Sequence, residues 1–331
     1  MTPERLQQLL AAFRQQRIVV IGDFFLDKYL EVDPQLAEPS LETGKTAHQV
    51  VEIRKSPGAA GTVTNNLAAL GAGTLHALGA VGEDGEGFDL CRGLERIGCT
   101  TAGILRRDDM YTPTYLKPRD LGVAGLSGEH SRYDTKNRKP LPKAISAELT
   151  SKLEKLLPEL DAVVIMDQVE MENCGVVSAT FRKALNQLAA QNPRKIFWAD
   201  SRRFIEHYHR MIIKPNQFEA VGNENPAPGD EVPMEELTSA IRRLRAETGA
   251  TVFVTRGERG MLVSDPEVMM VPGVKVTGPI DPTGAGDSVT AGGVDPGQRR
   301  HACRGGARSA TWWRRSRCNN WERPAQRHRS R

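Results

Sequence analysis

The stretch Asp281-Pro282-Thr283-Gly284-Ala285-Gly286-Asp287-Ser288, continued by Val289-Thr290-Ala291-Gly292-Gly293, carries the most decisive reading in this chain. Small residues at 284–286 let a backbone approach a ligand closely, and SVTAGG can begin a helix. Free N–H groups at a helix N-terminus, with the positive end of its dipole, form an anion site. Asp287 falls in the first turn, where a carboxylate is favoured and stays ionised. A carboxylate beside an anion hole suits phosphoryl transfer. The N–H groups hold the moving oxygens while the acid accepts a proton from an attacking hydroxyl. The competing reading is an N-capped helix after a glycine turn, with no ligand.

Outward from this motif, apolar runs bounded by turn residues alternate with helix-period stretches. Strands are predicted at Arg17–Ile21, Thr74–Val81, Ala162–Met166, Ile196–Ala199, Met211–Lys214 and Thr251–Thr255. Helices are predicted at Pro3–Gln15, Gly58–Gly71, Glu86–Ile97, Ser146–Leu157, Cys174–Gln191, Met234–Thr248 and from Gly284. This alternation predicts an α/β fold, a mostly parallel sheet covered on both faces. Asp27–Ile53 and Thr101–Asp134 break it, with Thr, Pro, Gly and charge around short alternating segments. They read as small strands outside the main sheet, either a lid over a site or long connections. Asp167 and Asp200 end apolar runs, and in a parallel sheet such ends face the site; plain strand-end turns are the alternative. His48 and His130 sit in the lid segments. His207 and His209 flank Tyr208 on a polar stretch and read as solvated surface.

Three other glycine motifs fail. Gly44-Lys45-Thr46 resembles the end of a phosphate loop, but Pro39 stands where that loop needs glycine. Gly71-Ala72-Gly73 follows a helix rather than a strand. The run Gly79 to Gly87 is a strand-to-helix turn without the G-x-G start.

Of the 331 residues, 39% are hydrophobic, enough for a sizeable core. The longest apolar runs have about a quarter of the length of a membrane span. The five cysteines lack metal-ligand spacing, so reduced thiols in the cytoplasm are expected. The charge is uneven. Residues 295–331 hold eleven Arg and two acids, a net of +9, leaving −5 of the whole-chain +4 for residues 1–294. That tail contains no Leu, Ile, Val, Met or Phe, so it cannot form a core-facing helix. It reads either as a basic arm for nucleic acid or as a frameshifted tail. One back-translation of ATWWRRSRCNNWERPAQ (residues 310–326), with a G placed before it and read in the shifted frame, gives GNLVASITVQQLGTTGT. That is an apolar helix pattern followed by a turn.

DPTGAGDS resembles the DxxGAGD signature of the ribokinase-like (PfkB) sugar kinases. Other segments fall in that family's order: Ile21-Gly22-Asp23 with Leu26-Asp27; Pro57-Gly58-Ala59-Ala60-Gly61-Thr62 through Asn66 to Gly71; Lys214-Pro215-Asn216-Gln217-Phe218-Glu219; and Val254-Thr255-Arg256-Gly257-Glu258-Arg259-Gly260. The match spans roughly residues 15–294. The GDxxLDxY opening and Arg132-Tyr133-Asp134 look most like the kinase half of bacterial heptose-phosphate kinase/ADP-heptose synthases. The resemblance implies a three-layer α/β/α sandwich with a small β lid, and ATP-dependent phosphorylation of a sugar or sugar phosphate. It implies Asp287 as general base and Gly284, Ala285 and Gly286 as anion hole. Asp23, Asp27, Gly58, Ala59, Thr62 and Asn66 fall on the sugar side. Asn216, Glu219, Thr255, Gly257, Gly260 and Thr283 fall on the ATP side. Glu219 would organise Mg²⁺ through water, and Asp281 would serve a monovalent cation such as K⁺. It further implies a homodimer through the lids. With the short apolar runs, no membrane partner is expected, and a sugar kinase reading leaves nucleic acid the less favoured partner. Ala59 and Thr62 depart from the family's glycine and asparagine. Glu38-Pro39-Ser40 stands where heptose kinases carry a Ser-Pro-Glu run. After Gly293 the family continues as an apolar helix, which this tail does not supply. An inactive sugar-binding remnant is the alternative outcome, as is nucleic-acid binding through the tail.

Overall fold

An unbroken Ile18-Val19-Val20-Ile21 run has no polar face to give to water, so it must be covered on both sides. In the computed structural model, which describes residues 2–123, 125–273 and 284–294, this run is the centre of the main sheet. Helix α1 (Pro3–Phe13) leads into β1 (Arg17–Gly22), β2 (Phe24–Pro39), β3 (Thr46–Ala59) and α2 (Ala60–Ala69). Next come β4 (Thr74–Gly82), α3 (Gly85–Arg96), β5 (Cys99–Arg107), β6 (Thr114–Asp120) and β7 (Tyr133–Thr135). The chain continues through α4 (Lys143–Leu156), β8 (Ala162–Asp167), α5 (Ala179–Gln191), β9 (Ile196–Ser201), β10 (Ile212–Ile213), α6 (Gln217–Val221) and α7 (Met234–Thr248). It ends, among the described residues, with β11 (Phe253–Thr255), β12 (Met261–Val263), β13 (Met269–Val271) and α8 (Ala285–Gly293).

The main sheet runs β10-β9-β8-β1-β4-β5, with every pairing parallel. Alternate side chains of β1 enter different cores. Val19 and Ile21 belong to one core with Leu149, Phe181 and Ile241 from α4, α5 and α7. Ile18 and Val20 meet Val63, Leu90 and Val289 from α2, α3 and α8. That is the expected three-layer α/β/α sandwich. Strand order reverses at β1, and such a switch opens a crevice beyond the carboxyl ends of the strands. Asp23, Asp167, Asp200 and Lys214 all stand at those ends. An antiparallel sheet, β11-β12-β13, continues this edge through the parallel bridges Ile213–Val252 and Asn216–Thr255.

A second sheet, β3-β2-β6-β7, is the lid. Its first segment matches the expectation. The second needs correction, because Thr101–Arg107 belongs to β5 and pairs with β4 in the main sheet. As an edge strand β5 leaves several residues exposed, so its sequence lacks the apolar run of a central strand. The helix expected from Cys174 begins at Ala179, where Ser178 caps it. Gly58 lies in β3 rather than in α2. The strand expected over Met211–Lys214 narrows to Ile212–Ile213. Ion pairs Lys28–Glu86 (3.0 Å) and Lys55–Asp89 (2.6 Å) tether the lid to α3. Among the described residues, no helix is long and apolar enough to cross a membrane. The tail 295–331 lies outside the described residues, as do Asp281 and Thr283.

Candidate active site

Helix α8 begins after Gly284, which is in the left-handed region at φ 73° and makes no side-chain cap. The N–H groups of its first turn are therefore open to an anion. The Ser288 N–H and hydroxyl both bind the Gly284 carbonyl, at 3.0 Å each, fixing that turn. Asp287 stands in it and lines a cleft of about 900 Å³ between α8, α2 and the lid. Asp27, Ala59, Thr62 and Gly284 line the same cleft. Five of the expected site residues are thus brought together from three separate stretches of sequence.

Asp27 is paired with Lys117 of β6 at 2.8 Å, and Lys117 also donates to the Tyr29 hydroxyl at 3.3 Å. Gly58 stands behind Asp27. A Cβ there would come within 2.5 Å of the Asp27 carboxylate, so the glycine makes room for the acid rather than lining the cleft. Asp23 and Asn66, also expected on the sugar side, do not line this cleft. Asp23 accepts backbone N–H groups from Gln168 (2.8 Å), Val169 (3.2 Å) and Val176 (2.7 Å), so its carboxylate organises the loop after β8. It borders a smaller neighbouring cavity of about 170 Å³. Asn66 is buried, and its Nδ2 reaches the Ser288 Oγ at 3.3 Å, joining α2 to the start of α8.

Ala59 adopts φ 51°, ψ −115°, a conformation that only glycine adopts freely. Strain of this kind costs about 1–3 kcal/mol. Ala59→Gly is expected to raise stability by about 1 kcal/mol after the added freedom of the unfolded chain is subtracted. Urea unfolding measures this, and an unchanged or lower midpoint would refute it.

On the opposite side, Asn216 and Glu219 form a capping box. The Asn216 Oδ1 accepts the N–H groups of Phe218 (2.8 Å) and Glu219 (2.9 Å), while the Glu219 Oε2 accepts the Asn216 N–H at 2.7 Å. One Glu219 oxygen remains uncommitted among the described residues, which leaves it free to meet a Mg²⁺ ion or a water bound to one. No cluster of three metal-binding side chains occurs among the described residues. Thr255 bridges to Asn216, and Gly257 (φ 56°) and Gly260 (φ 92°) form the tight turn between β11 and β12. The described residues expected on the ATP side, Asn216, Glu219, Thr255, Gly257 and Gly260, thus lie on neighbouring elements.

The expectation that Asp287 stays ionised needs correction: burial outweighs the helix start and pushes its carboxyl up to about 7, and Asp200 adds to this while Lys214 and Arg202 oppose it. Burial likewise pushes Glu219 up to about 7 against the pull of Lys214. Asp200 lies beneath the site, ion-paired with Lys214 at 2.9 Å and accepting the Thr290 hydroxyl at 3.1 Å. Asp167 lines neither cavity. Its Oδ2 accepts from Arg182 (3.1 Å), Ser201 (3.0 Å) and Tyr208 (2.8 Å) in a buried network. His48 and His130 have ring centroids 5.3 Å apart in the lid, away from the cleft lining. His207 and His209 are exposed, as expected.

Three residues escaped the sequence reading. Lys117 had no local signal, Arg202 follows the strand-end Asp200 by two residues, and Lys214 begins the quoted KPNxxE run. Arg202 lines both cavities.

A family model, pfkB family carbohydrate kinase, matches residues 15–295. The chain belongs to this family. As a pfkB carbohydrate kinase it is similar to the bifunctional protein HldE of Sulfurimonas denitrificans, at 28% identity over 284 residues. It matches HldE of Chromohalobacter salexigens at 30% over 293 residues. These matches cover 83% and 85% of this chain and 55% of each relative, so the chain spans about half the length of the curated relatives it matches. The same fold occurs in Escherichia coli phosphofructokinase-2 in complex with fructose-6-phosphate, at TM-score 0.60 and 18% identity, covering 87% of this chain and 88% of that one. It also occurs in Arabidopsis thaliana ribokinase complexed with ribose and ATP, at TM-score 0.61 and 16% identity, covering 89% and 91%. The pfkB match ends at residue 295, where the Arg-rich tail begins.

Proposed function

We propose that this carbohydrate kinase transfers the γ-phosphoryl group of ATP to a hydroxyl of a sugar phosphate, with Asp287 as general base. The carrying observation is Asp287 in the uncapped first turn of α8, facing the same cleft as Asp27 and Thr62. Asp27 and Lys117 orient the acceptor hydroxyls. The Asp287 carboxylate takes the hydroxyl proton, and the backbone N–H groups of Gly284, Ala285 and Gly286 hold the phosphoryl oxygens. Mg²⁺, held through water by Glu219, would neutralise phosphate charge in this site. A phosphorylated acceptor is favoured by the cleft wall, where Arg54, Lys55, Arg96, Lys117, Arg132, Lys136 and Arg202 outnumber Asp27, Glu170 and Asp287. Lys136 and Arg202 stand where the cleft meets the smaller cavity and would meet the acceptor's own phosphate. A heptose phosphate is the reading closest to the sequence resemblance. The test is MgATP turnover across a panel of free sugars and their phosphates. Preference for free sugars would overturn the phosphorylated acceptor, and no turnover with any of them would overturn the kinase reading.

A base at about 7 predicts a pH profile. Activity needs the ionised carboxylate, so kcat/KM should rise with pH and level off above about 7. A profile flat from pH 5 to 8 would remove Asp287 from the role.

Residues 295–331 are, in this proposal, out of frame. The end of the family match at 295 supports it, as does the apolar helix recovered in the shifted frame. A chain carrying that helix after Val294 should melt at a higher temperature, because each buried aliphatic side chain adds about 1.5–3 kcal/mol. An equal or lower melting temperature would count against it.

A further inference from the structure

We propose that Lys214 is a catalytic residue, its ammonium donating to the oxygens of the phosphoryl group in transit beside the first-turn N–H groups of α8. This rests on the kinase reading above and adds a component to the same site. The Lys214 side chain is 5% exposed, at the carboxyl end of β10. Its backbone N–H is fixed to the Ala199 carbonyl of β9 at 3.0 Å. Its Nζ lies 3.4 Å from where a Cβ on Gly286 would stand, so it abuts the turn that forms the anion hole. Asp200 pairs with it at 2.9 Å, and the same Asp200 oxygen takes the hydroxyl of Thr290 from α8. The ammonium is therefore locked to the helix it serves.

Its other charged neighbours are Glu219 on the nucleotide side and Asp287 on the acceptor side. Both acids thus act on its charge. A buried ion pair is weak evidence for stability, because an apolar pair of similar volume is often as good. A fixed cation is strongly useful where negative charge spreads over three moving oxygens. The balance is simple. The acceptor hydroxyl gives its proton to Asp287, and its lone pair forms the new O–P bond. The bond from the γ-phosphorus to the departing ADP oxygen breaks. Lys214 keeps its protons throughout.

The test is calorimetric binding of MgADP to the full chain with and without aluminium fluoride, which mimics the group in transit. In the native chain aluminium fluoride should tighten MgADP by at least about 10²-fold. Lys214→Met should abolish that tightening and leave MgADP alone unchanged, while Lys214→Arg should restore part of it. Lys214→Met/Asp200→Asn removes the carboxylate left unpaired and should show the same loss with native melting behaviour. Tightening that persists in Lys214→Met, or is missing from the native chain, overturns the inference. Failure of the kinase reading shows separately, as absent phosphate transfer across the sugar panel.

Discussion

Asp287→Asn is expected to lower turnover by about 10²–10⁴-fold while leaving acceptor binding nearly unchanged. The amide keeps the size of the side chain and the open first turn of α8. It cannot take a proton at neutral pH. The rate that remains comes from the anion hole and from the charges beneath it. Steady-state phosphorylation alongside calorimetric acceptor binding decides the matter. A variant that retains more than about a tenth of native turnover lies below the range for general-base loss and returns Asp287 to a helix-start role. The same substitution should stabilise the fold at pH 8. The folded carboxyl is raised to about 7, so the native state favours its protonated form. That contribution is complete below the unfolded value near 4 and is lost as pH rises through about 7. Asparagine carries no such dependence, so the variant's advantage should grow between pH 4 and 7 and then stay constant. An advantage that shrinks over that interval would contradict the sign.

Arg182→Met is expected to cost about 3–5 kcal/mol of stability, because it leaves Asp167 charged, buried and without its cation. Arg182 and Asp167 side chains are 6% and 2% exposed. Burial already raises the Asp167 carboxyl despite Arg182, so the pair has little reserve. Ser201 and Tyr208 hydroxyls remain but carry no charge. Chemical denaturation at pH 7 measures the loss, and Arg182→Met/Asp167→Asn should recover most of it. A loss under about 1 kcal/mol, typical of an ordinary substitution, would mean the network is not electrostatically closed.

Features set by local pattern were legible in the sequence. The β1 run and α7 follow from apolar spacing, and α7 falls on the expected Met234–Thr248. The 284–287 turn was legible because its glycines and acid are neighbours in sequence. Long-range features were not. Lys117 reaches Asp27 across 90 residues, and no spacing rule joins a lid strand to β2. Asp23 and Asp27 lie four residues apart and look equivalent in sequence. Backbone N–H groups from the 168–176 loop occupy the first, while the second faces the cleft. Edge strand β5 was misplaced because exposure removed the apolar signal on which the reading depends.

Asp27 and Lys117 belong to the lid sheet, whereas Asp287 belongs to the body. An acceptor spanning the cleft touches both; a water molecule is too small to do so. With Asp287 as the proposed base, water there would not be held by the groups proposed to orient a sugar hydroxyl. In the proposed mechanism this division of labour would keep ATP from idle hydrolysis by geometry, without requiring a closed chamber.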